Sequence, residues 1–304
     1  MTSPAADSAA ALREGELMAE GLLILGAHAG SGKTVAAAGL TAALYASGAQ
    51  AMAFKPVMLA HTPGGGDSAM ASVDVPHLTR ARSSDASCAS RSLTPSPLIT
   101  SPWAASRAGD QAFLSRAIDP ALAQALPEPM VADPANDISA SDWEALLRRC
   151  RRLPAPCLFE AAGGVGAPWG WRREEASQAL TLVDAMVFAR ALGLPLLLTV
   201  SKSAQMVARL RLAMAFLAAH PLSVVGWLAV ETVSPAAVEP MAAGAWERDC
   251  QWVSQTLIGA PFLGVIPYSP AVSVRAASLG NLQRLTEDAI DLLPIRRILK
   301  ATVT

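Results

Sequence analysis

The chain has 304 residues, 52% of them hydrophobic and only 16% charged, with a formal net charge of −1 and a pI near 6.4. That length and apolarity are enough to bury a large core in one domain. The near-zero charge leaves no electrostatic footprint for nucleic acid or an anionic membrane, so neither is expected as a partner.

Residues 1–20 hold Asp7, Glu14, Glu16 and Glu20 among small and apolar residues, with no basic start or apolar core. They read as a flexible extension rather than a targeting signal. The domain proper then runs from 21 to 304. Its first strand is predicted over 21–26, where Gly21-Leu22-Leu23-Ile24-Leu25 leads into Gly26-Ala27-His28-Ala29-Gly30-Ser31-Gly32-Lys33-Thr34. An alanine-rich helix follows to Leu44. Strand, small-residue loop, Gly-Lys-Thr and helix form the grammar of a phosphate-binding loop. Backbone N–H groups of Gly30, Ser31, Gly32, Lys33, Thr34 and Val35 would cradle phosphate oxygens. Lys33 would bridge the terminal phosphates and the Thr34 hydroxyl would reach Mg²⁺. The chain is therefore expected to bind a nucleoside triphosphate.

A second strand over 50–54 ends in Phe54-Lys55-Pro56-Val57. Residues 60–110 are rich in Ser, Pro, Gly and Asp and read as long loops with a short helix or two. Helices are predicted over 112–125 and 139–152, around a Pro-rich linker at 127–137. The second of these ends in Arg148, Arg149, Arg151 and Arg152, charges that suit a helix C-terminus. A strand at 157–160 runs into Ala161-Ala162-Gly163-Gly164-Val165-Gly166. Then come a helix over 176–192, a strand over 194–200, a helix over 203–219, strands over 222–230 and 262–267, and a closing helix over 281–299.

The alternation predicts an α/β fold, a mostly parallel sheet with helices on both faces. Ligands of such sheets sit beyond the carboxyl ends of the strands. The glycine-rich loop, Lys55, Glu160 and Lys202 all fall there and are expected to build one site. The longest apolar run, 185–200, is broken by Arg190, Gly193 and Pro195, so no membrane span is expected. Cys88, Cys150, Cys157 and Cys250 lack metal-ligand or redox spacing and read as free thiols of a reducing cytoplasm. His61, His77 and His220 show no partner in the sequence and read as surface or loop residues. Trp169 and Trp171 read as packing or as substrate or dimer surface.

As an ordered set, Gly26-x₅-Gly32-Lys33-Thr34, Phe54-Lys55-Pro56-Val57, Glu160-Ala161-Ala162-Gly163-Gly164, Lys202, Gly226-Trp227 and Gly264-Val265-Ile266-Pro267 resemble dethiobiotin synthetase. The match in order and spacing spans about residues 21–268. The resemblance implies a P-loop NTPase-like domain, a cytoplasmic homodimer, and closure of the ureido ring of dethiobiotin from 7,8-diaminopelargonic acid, CO₂ and MgATP. It implies Lys33 and Lys55 as catalytic residues, with Thr34, Glu160 and an aspartate on Mg²⁺. Asp67, twelve residues after Lys55, is the first candidate for that aspartate; Asp85 and Asp74 are the others. Departures from the family pattern cluster at recognition positions. Ala27 and Ala29 stand where threonines are usual, Leu59 where a small hydroxyl residue is frequent, and Val230 where an asparagine reads adenine. Ala161 replaces a glycine. Phosphate and metal chemistry are thus expected to be retained, with base and substrate recognition altered. Another carboxylate- or carbamate-activating ligase, or a nucleotide-binding regulatory protein without turnover, are the alternative readings on the same scaffold.

Overall fold

Leu22, Leu23, Ile24 and Leu25 of the first strand, β1 (Gly21–Gly26), are all fully buried, and their alternation explains the architecture around them. Leu22 and Ile24 join one hydrophobic cluster while Leu23 and Leu25 join another, so the strand is covered on both faces. The computed structural model describes residues 19–60, 102–173, 179–237 and 244–299.

After β1 come α1 (Lys33–Ala46), β2 (Met52–Phe54), β3 (Val57–Leu59), α2 (Pro102–Ser115), α3 (Pro120–Gln124), β4 (Met130–Ala132) and α4 (Ala140–Arg151). The chain continues through β5 (Cys157–Glu160), β6 (Gly170–Arg173), β7 (Leu180–Val183), α5 (Ala185–Leu192), β8 (Leu196–Ser201), α6 (Met206–Leu217) and β9 (Val224–Val230). It closes with α7 (Ala245–Trp252), which runs on as a π-helical turn, then β10 (Phe262–Ile266), α8 (Leu282–Ala289) and α9 (Leu293–Leu299). Six strands form one parallel sheet in the order β10-β9-β8-β1-β5-β2. One face carries Phe159, Trp143, Trp169 and Phe188, which meet edge-on or tilted at ring centroids 5.6–6.3 Å apart. The other is covered by α1, α2, α8 and α9 through Leu40, Phe113, Leu282 and Ile295. No helix among the described residues is long and apolar enough to cross a membrane.

Several elements depart from the sequence reading. The helix expected over 112–125 begins ten residues earlier, at Pro102, and breaks before Asp119, whose side chain caps α3. Val57–Leu59 and Met130–Ala132, read as connections, pair in parallel as a small second sheet. Within the helix expected over 176–192, Leu180–Val183 is instead a strand: β7 pairs antiparallel with β6. The helix starts only after Asp184, whose carboxylate accepts the N–H groups of Met186 and Val187. The closing helix is two, because Ile290 turns extended and bridges to Gly264. The helix α7 was not anticipated. Residues 1–18 and most of the Ser/Pro-rich stretch lie outside the described residues.

Candidate functional site

Three parallel strands deliver their carboxyl ends to one place. From β1 the chain enters the glycine-rich loop and turns at Gly32 into α1. Gly32 has φ +87°, and a Cβ there would lie 2.6 Å from the Cβ of Val230, so only glycine fits. Gly164, in the turn after β5, comes so near that a Cβ would sit 2.8 Å from the His28 carbonyl carbon. Among the described residues no side chain caps helix α1, and its first turn holds no acidic residue. Its leading N–H groups and the helix dipole therefore present an unneutralised positive end, suited to an anion.

A cleft of 350 Å³ opens on that end. Gly30, Gly32, Lys33, Thr34 and Val35 line one side, and Lys55, Asp110, Glu160 and Gly163 the other. Ser31 is the exception within the loop: its hydroxyl is buried against that of Thr199, 3.0 Å away, leaving only its backbone for a ligand.

The charged groups form a chain. Thr34 Oγ1 donates to Glu160 Oε1 at 2.8 Å. Lys55 Nζ lies 3.1 Å from the same oxygen and donates to Asp110 Oδ2 at 2.5 Å. Glu160 is 1% exposed, and its second oxygen has no partner among the described residues. Burial on its own lowers the Lys55 pKa, but the two carboxylates outweigh it and hold the ammonium above its ordinary range. Lys33, 7% exposed, goes the other way: burial lowers its pKa, and Glu160 only partly offsets that. A buried lysine and a buried carboxylate oxygen that find no ion-pair partner or donor among the described residues are costly unless something fills the cleft. One hydroxyl and two carboxylates make a hard-oxygen donor set. It suits Mg²⁺, which takes few protein ligands when phosphate and water complete its shell. Among the described residues no group of three or more His, Cys, Asp or Glu stands ready to hold a metal unaided.

His28 is braced on the far side of the loop. Arg209 Nη1 donates to His28 Nε2 at 2.8 Å and to Ser201 Oγ at 2.8 Å, while His28 Nδ1 meets the Ala29 carbonyl at 2.5 Å. A guanidinium can only donate, so Nε2 is the unprotonated nitrogen and the ring is neutral.

Of the residues singled out from sequence, the loop, Lys33, Thr34, Val35, Lys55 and Glu160 converge. Lys202 does not join them: it donates to Glu231 Oε1 at 2.7 Å and lies over the Trp246 ring. Asp67, Asp74 and Asp85 lie outside the described residues. Asp110, which the sequence reading passed over, stands beside Lys55 and Glu160. Its signal was helical spacing: Asp110 precedes buried Phe113 and Leu114 by three and four residues, placing a carboxylate on an inward face. Leu59 packs near Gly163, and Val230 is fully buried behind Gly32. Trp169 is core, donating to the Ala162 carbonyl, whereas Trp171 is part-exposed on β6. His220 accepts from Arg190 at the surface, while His61 and His77 lie outside the described residues. Cys150, Cys157 and Cys250 are buried thiols, free among the described residues; Cys88 lies outside the described residues. Comparison with protein-family models finds none that matches the chain, and comparison with curated proteins finds no match either.

Proposed function

We propose that the chain is a nucleoside-triphosphate- and Mg²⁺-dependent ligase that activates a carbamate. The reaction proposed is that of the dethiobiotin synthetases it resembles, carried out by a P-loop NTPase-like domain in a homodimer. The observation that carries this reading is the meeting of Lys33, Lys55 and the Thr34–Glu160 pair at the uncapped start of α1.

A carbamate formed from one amine of 7,8-diaminopelargonic acid and CO₂ is a poor electrophile, because oxide does not leave. Transfer of the γ-phosphoryl group to a carbamate oxygen gives a carbamic–phosphoric anhydride. The second amine then attacks the carbonyl carbon and phosphate departs with that oxygen. Two anions must meet in the first step, so the protein's task is positioning and charge. The loop N–H groups and Lys33 hold the phosphates. Lys55, at the cleft wall, carries the charge that lets carbamate and phosphoryl group approach. Thr34, Glu160 and Asp110 would hold Mg²⁺, which supplies charge neutralisation on the phosphates when bound.

Phosphate release is to be measured at saturating Mg²⁺ with ATP (the family's nucleotide) and with GTP, with and without 7,8-diaminopelargonate plus bicarbonate. Release that needs both co-substrates, is lost in Lys33→Ala, and accompanies dethiobiotin in the mass spectrum supports the reading. Triphosphate binding without coupled release overturns it.

A further inference from the structure

The cleft at the glycine-rich loop continues into a second cavity of 190 Å³, the two sharing Val35, Thr232 and Val274 in their walls. Its sides are largely apolar, from Val35, Leu282, Val272 and Pro267, with the part-exposed ring of Tyr268 at the edge. Such walls suit a flat heteroaromatic ring, at the end of the cleft away from Lys55. Val230, where the resembled family reads adenine with an asparagine, is buried and apolar and offers the ring no hydrogen bond.

Among the described residues the one charged member of the lining is Glu231, the first residue beyond β9. It is held from two directions. Lys202 Nζ donates to Oε1 at 2.7 Å, and the Tyr268 backbone N–H donates to Oε2 at 3.1 Å. Burial acts to raise its pKa, but those two hydrogen bonds and the Lys202 charge outweigh it and keep the carboxyl below its ordinary range. An ionised carboxylate accepts and never donates, and each oxygen keeps a second lone pair after these bonds.

We propose that Glu231 reads the nucleobase, and that the triphosphate the chain prefers carries guanine. This rests on the nucleotide reading of the loop given above. Guanine presents N1–H and the 2-amino group side by side, two donors that match two carboxylate oxygens. Adenine presents its amino group beside the N1 lone pair, which a carboxylate repels. Cytosine has the same mismatch, and uracil has a single N–H.

The test is calorimetric titration of the full chain, in Mg²⁺, with GTP, ITP, ATP and XTP. GTP is expected to bind at least about tenfold more tightly than ATP, the gain of charge-assisted bonds to two donors over one. ITP, which lacks the 2-amino group, is expected between them. In Glu231→Gln the amide can donate to the 2-oxo group of xanthine, so XTP is expected to overtake GTP, a reversal that a merely structural glutamate would not produce. ATP binding as tightly as GTP to the wild-type chain, or an unchanged GTP-to-XTP ratio in the variant, overturns the inference alone. Failure of every triphosphate to bind overturns the nucleotide reading, and the inference with it. The wild-type ranking needs no variant, so the inference stays testable if Glu231→Gln does not fold.

Discussion

Replacing Lys55 by methionine keeps the length of the side chain and removes the cation between two carboxylates. In the native chain Nζ lies 2.5 Å from Asp110 and 3.1 Å from Glu160, with side-chain exposures of 14% for Lys55, 24% for Asp110 and 1% for Glu160. Glu160 would be left buried without its cation, while Asp110 keeps some contact with water. Deleting one partner of a buried pair costs about 3–5 kcal/mol, and the solvation of Asp110 argues for the lower end, about 3 kcal/mol. A domain has about 5–15 kcal/mol in all, so the variant should fold but denature early. Urea denaturation followed by the fluorescence of buried Trp143, Trp169 and Trp227 would register the change. With a slope of about 3 kcal/mol per molar, the midpoint falls by about 1 M. Lys55→Met/Glu160→Gln removes the stranded charge as well and should be more stable than Lys55→Met alone. Millimolar Mg²⁺ should stabilise Lys55→Met more than the native chain, since a cation held by Glu160 and Asp110 would neutralise charge that the ammonium no longer offsets. A loss below about 1 kcal/mol for Lys55→Met, with no advantage for the double variant, would refute the coupling drawn among these three side chains.

Two other perturbations follow from the same geometry. Gly32→Ala forces a Cβ to within 2.6 Å of Val230 at φ +87°, so thermal stability should fall and triphosphate binding vanish; a variant that binds like the native chain would mean the loop conformation is not required. His28 has its pKa lowered from 6.5, first by burial and further by Arg209 and Lys33, against the pull of the Ala29 carbonyl. The unfolded chain thus takes up that proton at higher pH than the folded one, so the stability tied to His28 is complete above its unfolded pKa and is lost as pH falls below it. Between about pH 7 and about pH 5, unfolding free energy should drop more in the native chain than in His28→Asn; parallel profiles would contradict the neutral ring assigned here.

Residues contiguous in sequence were the legible ones. The loop from Gly26 to Thr34 announces itself because strand, turn and helix start are one segment, with steric demands at Gly32 that a sequence displays directly. Lys55 and Glu160 were legible for a related reason: each ends a short buried strand, and parallel sheets bring strand ends together. Asp110 was not, because Ser/Pro-rich composition hid the start of α2 and the residue lies 55 positions from its partner Lys55. Glu231 was passed over since strand alternation says nothing about the first residue beyond a strand, where the Tyr268 backbone comes round to meet it. Lys202 looked like a fourth member of the site by the rule of strand ends, but Glu231 and Trp246 claim it. The strand at 180–183 resembled a helix because its apolar residues run straight on into those of α5. Asp184, an N-cap with two N–H groups on its carboxylate, marks the true boundary.

In the reaction proposed above, a carbamate oxygen accepts the phosphoryl group. ¹⁸O-labelled bicarbonate, supplied with 7,8-diaminopelargonate and Mg-triphosphate, tests it by mass spectrometry of the released phosphate. One labelled oxygen is expected in each phosphate formed, and no labelled phosphate is expected with Lys33→Ala. Phosphate released without label, its new oxygen taken from water, would contradict it.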